Sequence, residues 1–289
     1  MELKGCGTAL ATPFRNGKVD FEAYRTLVKR QVEAGIHFLV PLGSTAETPC
    51  LENDEKCELL RITRELCPDR PIVAGVGTNS PAATIRNIRM LEPSGPDAWL
   101  VVVPYYNKPT QQGIYEYFSA IAASTDKGIV AYNVPGRTGT NMTAETTIRV
   151  AKIPGVIAVK EASGNLEQIR QIVEGRPEGF KVLSGNDDQT FPIMAFGGDG
   201  IISVASNIAP VQMVELVESL QAGDIEKARL VDARLAPLYE ACFVESNPIP
   251  AKAGLSSLGL CTPEMRLPLT EAVSSTFDAM NRVIVDLGI

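Results

Sequence analysis

Histidine is nearly absent from this chain: 289 residues hold one, His37. A histidine-rich metal centre is therefore excluded, and imidazole acid–base catalysis would rest on that residue alone. His37 opens a β-rich run and reads as structural. The six cysteines, at 6, 50, 57, 67, 242 and 261, include no CxxC pair. That spacing removes zinc-ribbon and thioredoxin-type chemistry and leaves buried or idle thiols. No GxGxxG follows the first strand-like run, and no loop ends in GK[ST]. Long hydrophobic runs are missing too: the stretch 98–103 has the length of a strand, far short of the ~20 residues that cross a bilayer. Basic clusters are also wanting. With 27 Lys and Arg against 34 Asp and Glu the net charge is −7, which argues against nucleic acid or an anionic membrane as partner. The opening Met1-Glu2-Leu3-Lys4-Gly5 has no apolar h-region, so no secretory signal is expected and the cytoplasm is the expected location.

What remains is a soluble globular balance, 45% apolar and 21% charged. A chain of this size buries enough apolar surface to need no disulfide or metal staple. Its rhythm is regular. Short apolar runs recur at 7–10, 37–41, 71–75, 98–103, 128–132, 156–160, 181–184 and 200–204. Near-continuous apolarity suits strands covered on both faces of a parallel sheet. Helical segments with start signals lie between them: Ser80-Pro81, Asn53-Asp54-Glu55, Thr143-Ala144-Glu145 and Asn165-Leu166-Glu167. Eight strand–helix alternations predict a (β/α)8 TIM barrel over 1–223. From Asp224 the strand-like runs stop. A helix to about Cys242, a second after Pro250 and a third from Thr270 with Val273, Phe277, Met280, Ile284 and Leu287 on one face predict a helical domain over 224–289.

In such barrels chemistry sits at the carboxyl ends of the strands. Strand 6 ends in Lys160-Glu161, directly after Val156-Ile157-Ala158-Val159. Burial disfavours an ammonium, which frees the amine for imine formation with a ketone. Tyr106 after strand 4 and Tyr132 at the end of strand 5 read singly as packing aromatics with one wet end. On one rim with Lys160 they read as a proton relay, with Thr45 as the connecting hydroxyl. The loop Gly43-Ser44-Thr45-Ala46-Glu47 reads either as a simple turn and helix cap or as a run of small residues that would expose amides to a carboxylate. Arg137, between Pro135-Gly136 and Gly139, offers a planar fork to a second carboxylate. Asp187-Asp188 read as caps of the following helix rather than metal ligands. Gly197-Gly198-Asp199-Gly200 precedes strand 8 at the opposite face and reads as a turn.

These residues carry a resemblance. The segments Tyr132-Asn133-Val134-Pro135-Gly136-Arg137-Thr138-Gly139 and Val159-Lys160-Glu161-Ala162-Ser163-Gly164-Asn165, supported by Pro104-Tyr105-Tyr106-Asn107 and Asn247-Pro248-Ile249-Pro250, resemble the dihydrodipicolinate synthase family of pyruvate-dependent class I aldolases nearly end to end. The resemblance implies that Lys160 forms an imine with pyruvate. It implies a relay of Tyr132, Thr45 and Tyr106, the last reaching into a neighbouring subunit. Ser44 and Thr45 would hold the pyruvate carboxylate, and Arg137 the carboxylate of L-aspartate 4-semialdehyde. Gly185 and Ile202 would line the pocket through their backbone. No metal or organic cofactor is implied, and the assembly would be a tetramer built as a dimer of dimers. One departure is Ala46, where the family motif Gly-x-x-Gly-Glu has its second glycine. Another concerns an L-lysine site at the dimer interface of some members, which by position would draw here on Thr48, Asn53, Lys56, Asn79, Ala83 and Tyr105. Lys56 stands where strongly sensitive members have His, and Ala83 where they have Glu, so weak or absent L-lysine feedback is expected. Two rival readings use the same residues: a lyase of a 2-keto-3-deoxy sugar acid such as N-acetylneuraminate, and a non-catalytic metabolite-binding barrel.

Overall fold

Each of the eight apolar runs forms a strand in the computed structural model, which describes residues 3–289. They are β1 (Gly5–Ala9), β2 (Phe38–Val40), β3 (Val73–Gly75), β4 (Ala98–Val102), β5 (Gly128–Asn133), β6 (Val156–Glu161), β7 (Lys181–Ser184) and β8 (Gly200–Ser203). All pair in parallel with their sequence neighbours, β8 returns to β1, and a bridge between Leu39 and Ile72 joins β2 to β3. The sheet therefore closes into a (β/α)8 TIM barrel.

Side chains alternate along each strand, so the inward set is fixed by register. Phe38, Val40, Val73, Leu100, Val130, Ala158, Leu183 and Ile202 fill the interior. Tyr132 follows Val130 by two positions and Lys160 follows Ala158 by two, so both continue the inward face at the top of the barrel. Tyr132 and Lys160 are also register partners across β5 and β6. Glu161 and Asn133, one step further, point outward and are buried beneath the helices.

Helices α1 (Phe21–Glu33), α2 (Asn53–Leu66), α3 (Pro81–Leu91), α4 (Gln111–Ala122), α5 (Ala144–Val150), α6 (Leu166–Gly175), α7 (Thr190–Ala195) and α8 (Pro210–Gln221) form the outer ring. Several start where the sequence signals place them. Ser80, Thr143 and Asn165 each accept a first-turn amide, and Pro81 sits at the first helical position of α3. The appendage consists of α9 (Ile225–Ala241), capped by Asp224, α10 (Ile249–Ser257) and α11 (Ser274–Leu287).

The sequence reading needs correction at three points. The last helix begins at Ser274 rather than Thr270, and it buries Thr276, Met280, Val283, Ile284 and Leu287 while Val273 stays exposed. At its start the Val273 amide is taken by the Glu245 carboxylate at 3.2 Å; further upstream the Glu264 carboxylate accepts the amides of Asn16 and Gly17, and both Arg266 Nη atoms reach Glu55. Those two amides belong to a small hairpin, Phe14–Arg15 with Lys18–Val19, that the reading of apolar runs passes over. Its Asn16-Gly17 turn, both residues at positive φ, is the sequence signal that marks it. Finally, Asp187 does not cap the helix that follows it. Its buried carboxylate accepts the Ser203 hydroxyl at 2.5 Å and the amides of Val204 and Ala205 at 3.1 Å, so it caps the turn after β8, while Asp188 is exposed.

Candidate active site

The carboxyl ends of the strands surround a cavity of about 50 Å³ whose walls include Ser44, Thr45, Tyr132, Arg137, Lys160, Gly185 and Asn247. Six of the eight residues singled out in the sequence therefore meet in one place. Lys160 is 6% exposed, and its Nζ lies 4.4 Å from the centre of the Tyr132 ring. Burial pulls its amine down from 10.5 to about 8. Asp187 works against that shift and Arg137 adds to it. Tyr132 is buried as well, which raises its phenol; Arg137 and a hydrogen bond with the Ser44 side chain partly offset the rise.

Gly185 explains itself by distance. A Cβ there would stand 3.2 Å from Lys160 Cε, 3.1 Å from the Glu161 carbonyl oxygen and 2.6 Å from the Ala162 methyl. A side chain at 185 would push on the lysine from below, so the close approach requires glycine.

Ser44 and Thr45 sit on a one-turn 3-10 helix, Ser44–Ala46. Ser44 is exposed and Thr45 is buried. Ala46 has a right-handed backbone there. The left-handed position falls on Glu47, at φ 54, so the extra methyl at 46 meets no backbone strain. Glu47 is held firmly: its carboxylate, fully buried, receives Lys252 Nζ at 2.8 Å and the Arg266 amide at 3.0 Å.

The remaining two expected residues lie apart. Ile202 is buried in the apolar interior, and Val204 rather than Ile202 reaches the cavity. Tyr106 is 87% exposed at φ 73 and lies outside the cavity of its own chain. Among the described residues Thr45 makes no hydrogen bond to it; the Thr45 hydroxyl instead accepts Asn247 Nδ2 at 3.1 Å. Asn247 is the residue that the sequence reading left without a role. Its main-chain carbonyl accepts Arg137 Nη2 at 3.0 Å, tying the arginine to the same spot.

A second, larger cavity of about 460 Å³ shares the walls Gly43, Ser44, Tyr132, Arg137 and Asn247, and extends away from Lys160 towards Thr48, Lys56 and Tyr105. Those three belong to the set expected at an L-lysine site; Asn53, Asn79 and Ala83 do not line it. Among the described residues no group of three or more His, Cys, Asp or Glu is arranged to hold a metal ion, and no helix is long and apolar enough to cross a membrane.

Comparison with known proteins bears on the family and the fold. The 4-hydroxy-tetrahydrodipicolinate synthase of Thermotoga maritima is 45% identical over 292 residues, covering 99% of each chain. The crystal structure of the dihydrodipicolinate synthase from the same organism superposes with a TM-score of 0.97 at 44% identity, over 100% of this chain and 99% of that one. The lysine-bound enzyme of Cyanidioschyzon merolae gives 0.95 at 38% identity, over 99% and 98%. The profile of the dihydrodipicolinate synthetase family matches residues 2–286, and the chain belongs to that family.

Proposed function

We infer that this chain condenses pyruvate with L-aspartate 4-semialdehyde to give 4-hydroxy-tetrahydrodipicolinate, a step of diaminopimelate and lysine biosynthesis, as a lyase of the class I aldolase type. One contrast carries the assignment of the nucleophile. Two lysines are buried among the described residues. Lys252 is held by the Glu47 carboxylate at 2.8 Å, and no carboxylate lies within ion-pair distance of Lys160 among the described residues. An unpaired buried lysine sheds its proton readily, and Lys160 does so at about 8, within reach of neutral conditions.

On this reading the free Lys160 amine adds to the pyruvate ketone, water leaves, and an iminium forms. The iminium acidifies the methyl group. Loss of one methyl proton gives an enamine, whose carbon bonds to the aldehyde carbon while the aldehyde oxygen takes a proton. The substrate's own amine then attacks the iminium carbon, closes the ring and releases Lys160. Tyr132 is the proton carrier beside the nitrogen. Ser44 and Thr45 hold the pyruvate carboxylate, and Arg137 holds the carboxylate of the aldehyde. Gly185 leaves room beside the lysine; Ile202 supports the site from beneath. Tyr106 of the partner subunit completes the relay, in a homotetramer arranged as a dimer of dimers. The cytoplasm is the compartment this reading implies.

Borohydride reduction in the presence of pyruvate, read by intact mass, tests the nucleophile. One adduct per chain is expected, absent from Lys160→Ala; an unchanged adduct in that variant sinks the assignment. Aspartate semialdehyde and N-acetylmannosamine, offered side by side, test the acceptor. Turnover of the second in preference to the first would transfer the chain to the sugar-acid lyases.

A further inference from the structure

We propose that Asn247 is a positioning residue: its side-chain amide sets the direction of the Thr45 hydroxyl proton, so that Thr45 faces the pyruvate site as a donor. The inference rests on the pyruvate reading above and deepens it.

The observations concern one side chain. Asn247 is 6% exposed and lies in the wall between the two cavities. Its Nδ2 donates to Thr45 Oγ1 at 3.1 Å. Its Oδ1 is buried and has no hydrogen-bond partner among the described residues. The first contact fixes what Thr45 can do. A threonine hydroxyl has one proton and two lone pairs. With one lone pair taken by the Asn247 amide, the proton is directed away from Asn247. No acceptor for it is found among the described residues, and Thr45 lines the cavity with Lys160 and Tyr132. The hydroxyl therefore offers its proton to whatever binds there, and a carboxylate, which only accepts, is the matching ligand.

The unpaired Oδ1 is what this arrangement costs. An orphaned buried carbonyl oxygen is disfavoured and calls for an explanation. Turning the amide over would let Oδ1 accept the Thr45 proton. It would also place two N–H donors where Oδ1 now stands without a partner, and orphaned N–H groups are the rarer defect. The turned amide would leave Thr45 facing a carboxylate with lone pairs only. The orientation in the structure thus keeps Thr45 as a donor and leaves one N–H and the Oδ1 acceptor of Asn247 without a partner among the described residues, where the turned amide would leave two N–H groups. The main-chain carbonyl of Asn247 holds Arg137 independently of the side chain, so substitution at 247 can remove the amide while leaving that contact.

A double-mutant cycle of Asn247→Leu with Thr45→Val tests the proposal. Leucine removes both the amide donor and the orphaned oxygen. The single Asn247→Leu variant is expected to lose ten-fold or more in kcat/KM for pyruvate while melting no lower than wild type. In the Thr45→Val background the same change is expected to cost less than two-fold. An equal loss in both backgrounds, a loss that merely tracks a lowered Tm, or wild-type kinetics in Asn247→Leu would each overturn it. Should the leucine variant fail to fold, Asn247→Ala is put through the same cycle with the same expectations. Trapping on the wild-type enzyme separates the two levels of inference: no pyruvate adduct there defeats the pyruvate reading itself, whereas an adduct in wild type with additive losses in the cycle defeats only the role of Asn247.

Discussion

Lys160 and Glu161 are neighbours on one strand, face opposite sides of it, and titrate abnormally for the same reason. Burial lowers the Lys160 amine from 10.5 to about 8 and raises the Glu161 carboxyl from 4.5 to about 7. Asn133 Nδ2 and the Ser163 amide donate to Glu161 and moderate its shift without cancelling it. Both shifts are free energies withheld from the fold, in different pH windows. Between 4.5 and 7 the folded state holds a proton on Glu161 that the unfolded state has lost, so stability falls as pH rises, and the cost is complete above 7. Between 8 and 10.5 the unfolded state holds the Lys160 proton that the folded state has lost, so stability rises with pH, and the cost is complete below 8. Near pH 7.5 both penalties apply together, each on the order of 3 kcal/mol at 1.36 kcal/mol per unit. Lys160→Met is expected to raise stability near neutral pH and to lose that gain towards pH ~10. Glu161→Gln is expected to be neutral near pH ~4 and stabilising above 7. Denaturant titrations at several pH values measure both, and gains independent of pH would refute the account. On the reading that Lys160 is the nucleophile and must be neutral to react, it is kept at the expense of stability, which is a common cost of function.

Elements differ in how much of them a sequence can carry. The eight strands were legible because burial on both faces makes each a local run of apolar residues, and the caps at Ser80, Thr143, Asn165 and Asp224 act within three residues of themselves. Lys160 and Tyr132 were legible as a pair because counting strands puts them on adjacent ones. Lys252 was not. It looks like one charged residue in a small apolar helix, and it acquires meaning only from Glu47, 205 positions away. Asn247 is in the same position with respect to Thr45, 202 positions away. The Lys252–Glu47 pair has a consequence for α10 and for the Ser44–Ala46 turn alike. Burial pulls Lys252 down while Glu47 holds it up, and Nζ also lies 4.1 Å from the centre of the Phe14 ring. Removing one partner of such a pair strands the other in the interior, at a cost of about 3–5 kcal/mol. Because Glu47 also holds the left-handed end of the turn that bears Thr45, Glu47→Gln is expected to lose that stability and to raise the KM for pyruvate more than it lowers kcat. Denaturation and steady-state kinetics on the same preparation check both. A destabilised variant with an unchanged KM would show that the pair supports the fold and not the turn.

At the scale of the whole molecule, Tyr106 is the residue that a single chain leaves unexplained. A phenol that is 87% exposed stands in bulk water, where it cannot relay protons within a closed site. Its backbone is nevertheless held at φ 73, with Lys108 at φ 43 two residues on, and such left-handed positions cost about 1–3 kcal/mol each unless the surroundings repay them. Tyr105 beside it is also exposed, and it lines the larger cavity that opens alongside the site. An exposed, strained aromatic corner next to an open cavity is what a self-complementary two-fold interface would bury, each copy lending its tyrosine to the other. The proposal that Tyr106 acts across such an interface makes a prediction that no single-chain role shares. Lys160→Ala and Tyr106→Phe are each expected to be severely impaired when assembled alone. When the two variants are unfolded, mixed in equal amounts and refolded together, half of the dimers are hybrids. In each hybrid one site combines an intact Lys160 with an intact Tyr106 from the other chain, so about a quarter of wild-type activity should return. Activity equal to the average of the two separate variants would place Tyr106 within its own chain's site or outside the chemistry altogether, whereas recovery above that average requires the two chains to share one site.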